Sequence, residues 1–527
     1  MVDQSEFAWR LLTRSFLPQD LRRSILTYSP MLHAKLFTEA NKYRNEHFKP
    51  LQSPYSVPFP ADQEEQKTAI QNHEPFQDGH PQIDRPLFIQ FCANEPNTLL
   101  AAAKVVAPYC DAVDLNLGCP QGIAKRGGYG AFLQEDWKTI HNMINTLHEN
   151  LSIPITAKMR ILETKERTLE YAKMILNAGA SILTVHGRQR EQKGHNTGVA
   201  DWTVIRYLRE SLPPETVMFA NGNILQHEDL QKCLDATGVD GIMSAEGNLY
   251  DPSIFAPPPD AARYGREYWQ GKDGKGGYRM DAVLRRYLDI VYKHVLRVEP
   301  PQRQPLWLPS DPPTFEETVD NEEDGQPATK KQKREESKGK GKPSRPSDIS
   351  LSAIQAHCFN ILRPLIAKHT NVRDALAKVR VGEMDGFERV LKLTEAAVKS
   401  GLLEYEQDPT SFEYPGPTDE ELNDADSSVA AIKRCKRPFF ICQPYVRPLP
   451  IEALAKGSLQ LSKKEKKKQE AEEQAARLAK EAGVSANGDV ETARIESSGA
   501  TAKDSQTQTN DTRAEKVEIP KEGLVCG

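Results

Sequence analysis

Three places in the chain bring together residue types that could do chemistry. The first is Asp114-Leu-Asn-Leu-Gly-Cys-Pro-Gln121, followed closely by Lys125-Arg-Gly-Gly-Tyr-Gly130. An isolated cysteine is usually a small buried hydrophobe. Cys119 has a different context: an apolar run delivers Asn116 to its end, Gly118 turns the chain, and the thiol opens a glycine-rich loop. Glycines let backbone approach a ligand closely, and Pro120 fixes the direction in which the chain leaves the cysteine. A functional thiol is the reading that follows. The second place is a pair of tripeptides, Lys158-Met-Arg160 and His186-Gly-Arg188, each closing an apolar run. Lys158 could be an ordinary rim cation and His186 a satisfied core histidine. The apolar stretch 182–185 and the adjoining Gly187 instead set His186 on the floor of a site. The third is Asn221-Gly-Asn223 with Ala245-Glu-Gly247. Either alone is weak, since Asn-Gly mostly marks a turn. At consecutive strand ends they suit backbone amides that hold a phosphate late in a β/α barrel.

Positioning these groups takes a particular succession of elements. Short apolar, β-branched runs fall at 24–28, 87–92, 112–117, 154–160, 182–186, 217–221 and 241–245. Helix-like stretches lie between them at 98–107, 137–148, 168–178, 201–210 and 227–237. Such alternation predicts a parallel sheet with both faces covered. No Gly-x-Gly-x-x-Gly follows an early strand, which argues against an open dinucleotide-binding sheet. Gln90, Asn116, Lys158, His186, Asn221 and Glu246 instead stand at or near successive strand ends, and converging strand ends build the active face of a barrel. The expected fold is α/β, a TIM (β/α)8 barrel with seven strands visible. A sheet of seven keeps two unpaired edges.

Segment 50–85, rich in Pro, Gln and Glu, breaks the rhythm and reads as a surface insertion. Past Pro257-Pro-Pro259, a helical stretch at 280–298 leads into a linker of prolines, acidic residues and Lys330-Lys-Gln-Lys-Arg334. Residues 349–401 are helical again, with apolar spacing at Ile354, Cys358, Ile361, Leu362 and Leu365. The remainder is mostly polar. It holds a charged run at 463–480 that suits an isolated helix, and the last ~40 residues have a disordered composition. A net charge of −5 leaves no overall basic field, so any nucleic-acid footprint must be local. Eight cysteines without a Cys-x-x-Cys pair fit a reduced compartment and no metal module. The start lacks the basic and apolar pattern of a secretion signal, and no run approaches the ~18 apolar residues of a spanning helix. The expectation is an intracellular protein, cytoplasmic and/or nuclear, with no membrane partner.

These residues resemble one family closely, the tRNA-dihydrouridine synthases, and within it the eukaryotic branch acting on adjacent D-loop uridines. The resemblance is carried by Val2-Asp-Gln-Ser-Glu-Phe-Ala-Trp9, Tyr28-Ser-Pro-Met-Leu-His-Ala34, Gln90-Phe-Cys-Ala-Asn94 and the 114–121 loop. It continues through 125–133, 184–188, 192–202, 219–223 and 243–248, about half the chain. It implies an FMN-binding barrel with its catalytic loop over 1–268 and a helical tRNA-binding domain over 269–305 plus 348–405. A disordered charged linker (306–347) and a low-complexity tail (406–527) complete that division. The protein would be a monomer with tRNA as partner and NADPH, or NADH, as electron donor. Met1, Val2, Gln90, Lys158, His186, Asn221, Gly222, Asn223, Ala245 and Glu246 would hold FMN, with Lys158 stabilising negative charge on the reduced ring. Asn116 and Arg160 would face the uracil; Lys125, Arg126 and Arg188 would touch RNA phosphates, joined by basic helices near Arg285-Arg286 and 363–380. Hydride would reach C6 of the uracil from the flavin, and Cys119 would protonate C5. A general acid must hold its proton, so this thiol is not expected to be an activated thiolate. The base must also leave its stack, at a cost of a few kcal/mol that is least in looped RNA. Family members place a strand ending in Ala-Pro ahead of the Met-Val with which this chain begins, so the first barrel strand is expected to be missing.

Two other readings stay open. A flavin barrel reducing free pyrimidines shares the strand-end asparagines and the lysine, although the Lys125-Arg126 loop and the helices at 349–401 favour a larger substrate. A non-catalytic RNA-binding remnant would have no need of Cys119, Lys158, His186 and Asn221 together.

Overall fold

A computed structural model describes residues 2–52, 63–260, 265–311 and 348–457. Met1, most of the linker expected at 306–347, both lysine-rich tracts and the tail beyond 457 lie outside the described residues. The order of strands follows the chain: β1 (Thr27–Tyr28), β2 (Leu32–His33), β3 (Leu87–Cys92), β4 (Ala112–Leu117), β5 (Ile155–Arg160), β6 (Ile182–His186), β7 (Val217–Asn221) and β8 (Gly241–Met243). All pair in parallel with their neighbours. β1 and β2 pair with the start and end of β3, so they are halves of one strand broken around Pro30, which has no N–H to give a ladder. Seven strand positions result, as the runs of β-branched residues predict. Among the described residues β8 and β1 do not pair with each other. β3, β4 and β5 are almost wholly buried, whereas β8 is half-exposed along its length.

Helices return the chain from one strand to the next: α1 (Phe7–Ser15) precedes the sheet, and α2 (Pro96–Val106), α3 (Gly122–Gly127), α4 (Trp137–Asn150), α5 (Lys165–Asn177), α6 (Trp202–Ser211) and α7 (Glu228–Thr237) follow. Their starts are written in the sequence. Glu95, Asp136, Thr164 and Asp201 each accept first-turn backbone N–H groups through the side chain, the role that oxygen-bearing residues play at N-caps. Gly238 ends α7 in the left-handed conformation.

Two apolar cores result. The first fills the space between sheet and helices and includes Phe91, Leu115, Met159, Val185 and Ala220. The second gathers α1, α8 (Glu246–Tyr250), α9 (Met280–Ile290), α10 (Ile354–Ile361) and α11 (Met384–Gln407), with Trp9, Leu12, Leu249, Leu284, Leu288, Ile354 and Val398 among its members. Four expectations are corrected here. α1, read as part of the barrel, is buried in the helical core. The tail does not begin at 406: Phe412, Phe440, Ile441 and Cys442 are buried in that same core, and Ile441 forms a β-bridge with Arg279. The insertion at 50–85 is not purely a surface feature. Its Asp78 and Asp84 are buried and grip Arg10 of α1 at 2.9 and 2.6 Å, since a buried guanidinium requires paired anions. An antiparallel hairpin, β9 (Tyr268–Gln270) with β10 (Gly276–Tyr278), also stands at the start of the region expected to be helical.

Candidate active site

Asn116 is the penultimate residue of β4, and its side chain turns back toward the loop that follows. Its Oδ1 accepts from the N–H of Gly118 at 3.0 Å and of Cys119 at 2.9 Å. Its Nδ2 donates to Gln90 Oε1 at 2.9 Å, and Gln90 Nε2 donates to Asp114 Oδ2 at 2.8 Å. The other Asp114 oxygen accepts from Thr156 Oγ1 at 2.7 Å. On the far side of the loop, Arg160 Nε donates to Gly118 O at 2.7 Å, Ala131 N to Cys119 O at 3.1 Å, and Lys193 Nζ to Pro120 O at 2.9 Å. Every backbone polar group from 118 to 120 therefore has a partner, and the cysteine is held from both sides. Gly130, at φ +65°, completes the seat, because a Cβ there would come within 2.8 Å of Cys119 O. The Cys119 side chain packs among Met31, Cys92, Ala124 and Tyr129.

The thiol faces a cavity of about 370 Å³, within the usual range for small-molecule sites. Gln90, Asn116, Cys119, Lys158, Arg160, His186, Asn221 and Ala245 line it, as does Val2. Its wall includes both 24–29, at β1, and 240–245, at β8, so the sheet curls around it and the two unpaired edges border the same space. His186 is fully buried and its pKa is pushed well below the usual value, by desolvation and then by Arg160, Lys158 and Arg188. Its Nε2 lies 3.1 Å from Arg188 Nη1. A guanidinium only donates, so this nitrogen accepts and the imidazole is neutral. Burial likewise raises Asp114 to about 6, partly opposed by Thr156, Gln90 and Lys158.

The remaining expected residues sit elsewhere. Arg188 turns inward to Gly198 O, Asn223 Oδ1 and His186, with its pKa lowered to about 10 by desolvation; it braces the site and is not aimed at RNA. Asn223 exchanges hydrogen bonds with the Ala200 backbone, and Gly222 packs beneath Ala200 and His186. Glu246 pairs with Arg447 at 2.6 Å. Gly222, Asn223 and Glu246 thus stand behind the cavity wall. Lys125 and Arg126 are exposed on α3, directly after the loop that carries Cys119 and outside the cavity. Arg160 does line the cavity, yet it also bonds Gly118 O and the carbonyls of Gln189 and Gln192, so it braces the loop as well. Sequence reasoning missed Trp9, Ser244 and Asn248 in the wall, and Thr156 and Lys193 around the loop. Trp9, Asn248 and Lys193 fall in stretches the motifs already cover, but nothing local announces that Trp9 Nε1 donates to Asn248 Oδ1 across the fold at 2.8 Å.

The family described as dihydrouridine synthase (Dus) matches residues 1–270. The chain belongs to the dihydrouridine synthase family. Among its relatives, the tRNA-dihydrouridine(16/17) synthase of Saccharomyces cerevisiae is 39% identical over 453 residues, covering 85% of this chain and 82% of that one. The protein of the same name from Schizosaccharomyces pombe is 40% identical, covering 86% and 88%. A tRNA-dihydrouridine(16/17) synthase-like protein of Rattus norvegicus is 34% identical, covering 88% and 76%. These alignments are longer than the 1–270 family match, so the dihydrouridine synthase likeness takes in helical-core sequence as well as the barrel.

Proposed function

We infer that the chain reduces the C5=C6 bond of D-loop uridines in tRNA, using FMN and a nicotinamide donor, NADPH before NADH. The observation that carries this is Cys119, tied at every neighbouring backbone group and set against a cavity lined by Lys158, His186 and Asn221. The names of the fungal relatives, which specify tRNA, positions 16/17 and NAD(P)(+), agree with it. The residues present suit FMN. Asn221 Oδ1 and Ser244 Oγ are buried at the cavity without a partner among the described residues, and such atoms need one. When bound, FMN carries two electrons from the nicotinamide to the uracil. Gln90, Lys158, His186, Asn221 and Ala245 would hold it, with Lys158 offering a cation beside a ring that gains negative charge on reduction. Cys119 would deliver its proton from Sγ to C5 as hydride arrives at C6, and regain it from solvent. Asn116 and Arg160 line the same cavity as the thiol and would face a uracil bound there. Lys125 and Arg126, exposed on α3 at the same end of the sheet, suit phosphates of the folded RNA.

The direct test is Cys119→Ala. The variant is expected to retain flavin and its reduction by NADPH while dihydrouridine formation, read by mass spectrometry of the tRNA, falls ~100-fold or more, within the range for a general acid. Unchanged product would remove the thiol from the mechanism. Reduction of free uridine at a rate equal to that of tRNA would favour the free-pyrimidine reading.

A further inference from the structure

The segment that follows the helical core returns to the barrel and meets the loops after β7 and β8. Its course is pinned on the way: Phe440 O accepts from Met280 N at 3.0 Å, Cys442 N donates to Tyr278 O at 3.0 Å, and Ile441 bridges to Arg279. Arg434 meets Asp229 of α7 at 2.6 Å, and Asp229 in turn accepts the N–H groups of Leu225 and Gln226 after β7. Further on, the Tyr445 ring packs against the Arg363 guanidinium at 3.8 Å and against Tyr250 of α8 at 6.0 Å between centroids. Arg447 is thereby brought to Glu246: its Nε donates to Oε1 at 2.8 Å, and its Nη2 lies 2.6 Å from the same oxygen. We propose that Arg447 sets the affinity of the cavity for the phosphate of FMN, by neutralising Glu246 behind the end of β8. This rests on the flavin reading above, and it adds a residue outside the 1–270 family match.

Glu246 carries the wrong charge for its place. Ser244, Ala245 and Asn248 line the cavity, so the carboxylate stands directly behind the wall that the loop after β8 would offer a phosphate. Ser244 Oγ is buried at that wall without a partner among the described residues, and a hydroxyl is a donor suited to an anion. Cations gather at the neighbouring strand ends, where Lys158, Arg160 and Arg188 all act on buried His186. Arg188 bonds Gly198 O, His186 and Asn223 Oδ1, and no carboxylate among the described residues. An unpaired Glu246 would cancel part of this positive field and repel a dianion beside it. The Glu246 and Arg447 side chains are only 21% and 28% exposed, so salt screens the carboxylate weakly and Arg447 is its main compensation.

A second role for the pair is to tether the returning segment, and the two roles differ in sign. A tether is lost whichever partner is removed. Neutralisation is lost only with Arg447, whereas removing the carboxylate leaves an added cation. Full-length protein stripped of flavin would be titrated with FMN and with riboflavin, which lacks the phosphate, following flavin fluorescence. The set is the parent, Arg447→Gln, Glu246→Gln and the double variant; glutamine at 447 still offers an N–H to Glu246. Arg447→Gln is expected to weaken FMN about tenfold and riboflavin less than about twofold. Glu246→Gln is expected to bind FMN at least as tightly as the parent, and the double variant to return within about threefold of it. If Arg447→Gln does not fold, Glu246→Gln alone decides: FMN held as tightly as in the parent supports the proposal, and weaker FMN overturns it. Equal losses for both flavins in both single variants, or a parent that binds FMN no better than riboflavin, would also overturn it. A parent that binds neither flavin would instead defeat the functional reading.

Discussion

Asp114 has a thermodynamic signature of its own. Its folded-state pKa is raised from 3.8 to about 6 by burial. Between those values the folded protein therefore holds a proton that the unfolded chain has released, so stability falls as pH rises through the window and stays lower above it. Asparagine has no proton to lose. Relative to the parent, Asp114→Asn is expected to gain melting temperature from pH 5 to pH 8, by the equivalent of about 1–3 kcal/mol. Equal differences at both pH values would mean that the carboxylate is not desolvated in the folded protein. His186 is the opposite case: buried, surrounded by Arg160, Lys158 and Arg188, and kept neutral. At this scale much of the site was legible, because strand ends mark where side chains converge. Gln90, Asn116, Cys119, Lys158, His186 and Asn221 all reach the cavity. What the sequence hides is which charged groups face inward. Arg188 and Glu246 read as ligand contacts and are instead committed to Asn223, His186 and Arg447, partners set by three-dimensional packing.

Among the elements, the loop between β4 and α4 depends on conformations only glycine supplies. Gly130 has φ +65° and no room for a Cβ beside Cys119 O. Gly130→Ala is expected to destabilise the protein by about 1–3 kcal/mol and to displace the thiol, lowering kcat more than it weakens tRNA binding. Measured kcat and KM near those of the parent would show that the loop tolerates the shift. The strands and helices around this loop follow from local signals: apolar runs for β3 to β8, and Glu95, Asp136, Thr164 and Asp201 for helix starts. α1 was not among the stretches read as helical, nor was it read as a member of the second core. Its partners, Leu284, Ile354 and Val398 among them, lie hundreds of residues away and leave no trace in its own periodicity. Phe440 and Ile441 belong to a short apolar run, Phe439-Phe-Ile-Cys442, that reads as tail only because charged and proline residues flank it.

Across the whole molecule, the barrel site and the helical core share a buried junction. Glu6 accepts from Tyr287 Oη at 3.1 Å and pairs with His357 Nε2 at 2.9 Å, while Trp9 stacks on the His357 ring at 3.9 Å between centroids. Trp9 in turn lines the cavity and bonds Asn248. His357→Ala would leave Glu6 buried beside a void, so a loss of about 3–5 kcal/mol is expected in urea unfolding. Adding Glu6→Gln to it is expected to recover part of that loss. A cost below ~1 kcal/mol would show that the junction does not bear on stability. Through Trp9, the single variant is also expected to bind flavin more weakly. The central claim is that this cavity holds a flavin that takes electrons from NADPH and gives them to tRNA. Visible absorbance of the purified, FMN-loaded protein tests it most directly, recorded before NADPH, after NADPH without oxygen, and after adding unmodified tRNA. The account predicts a flavin spectrum that bleaches with NADPH and returns with tRNA as dihydrouridine forms. A protein that binds no FMN, or whose reduced flavin is indifferent to tRNA, would contradict it.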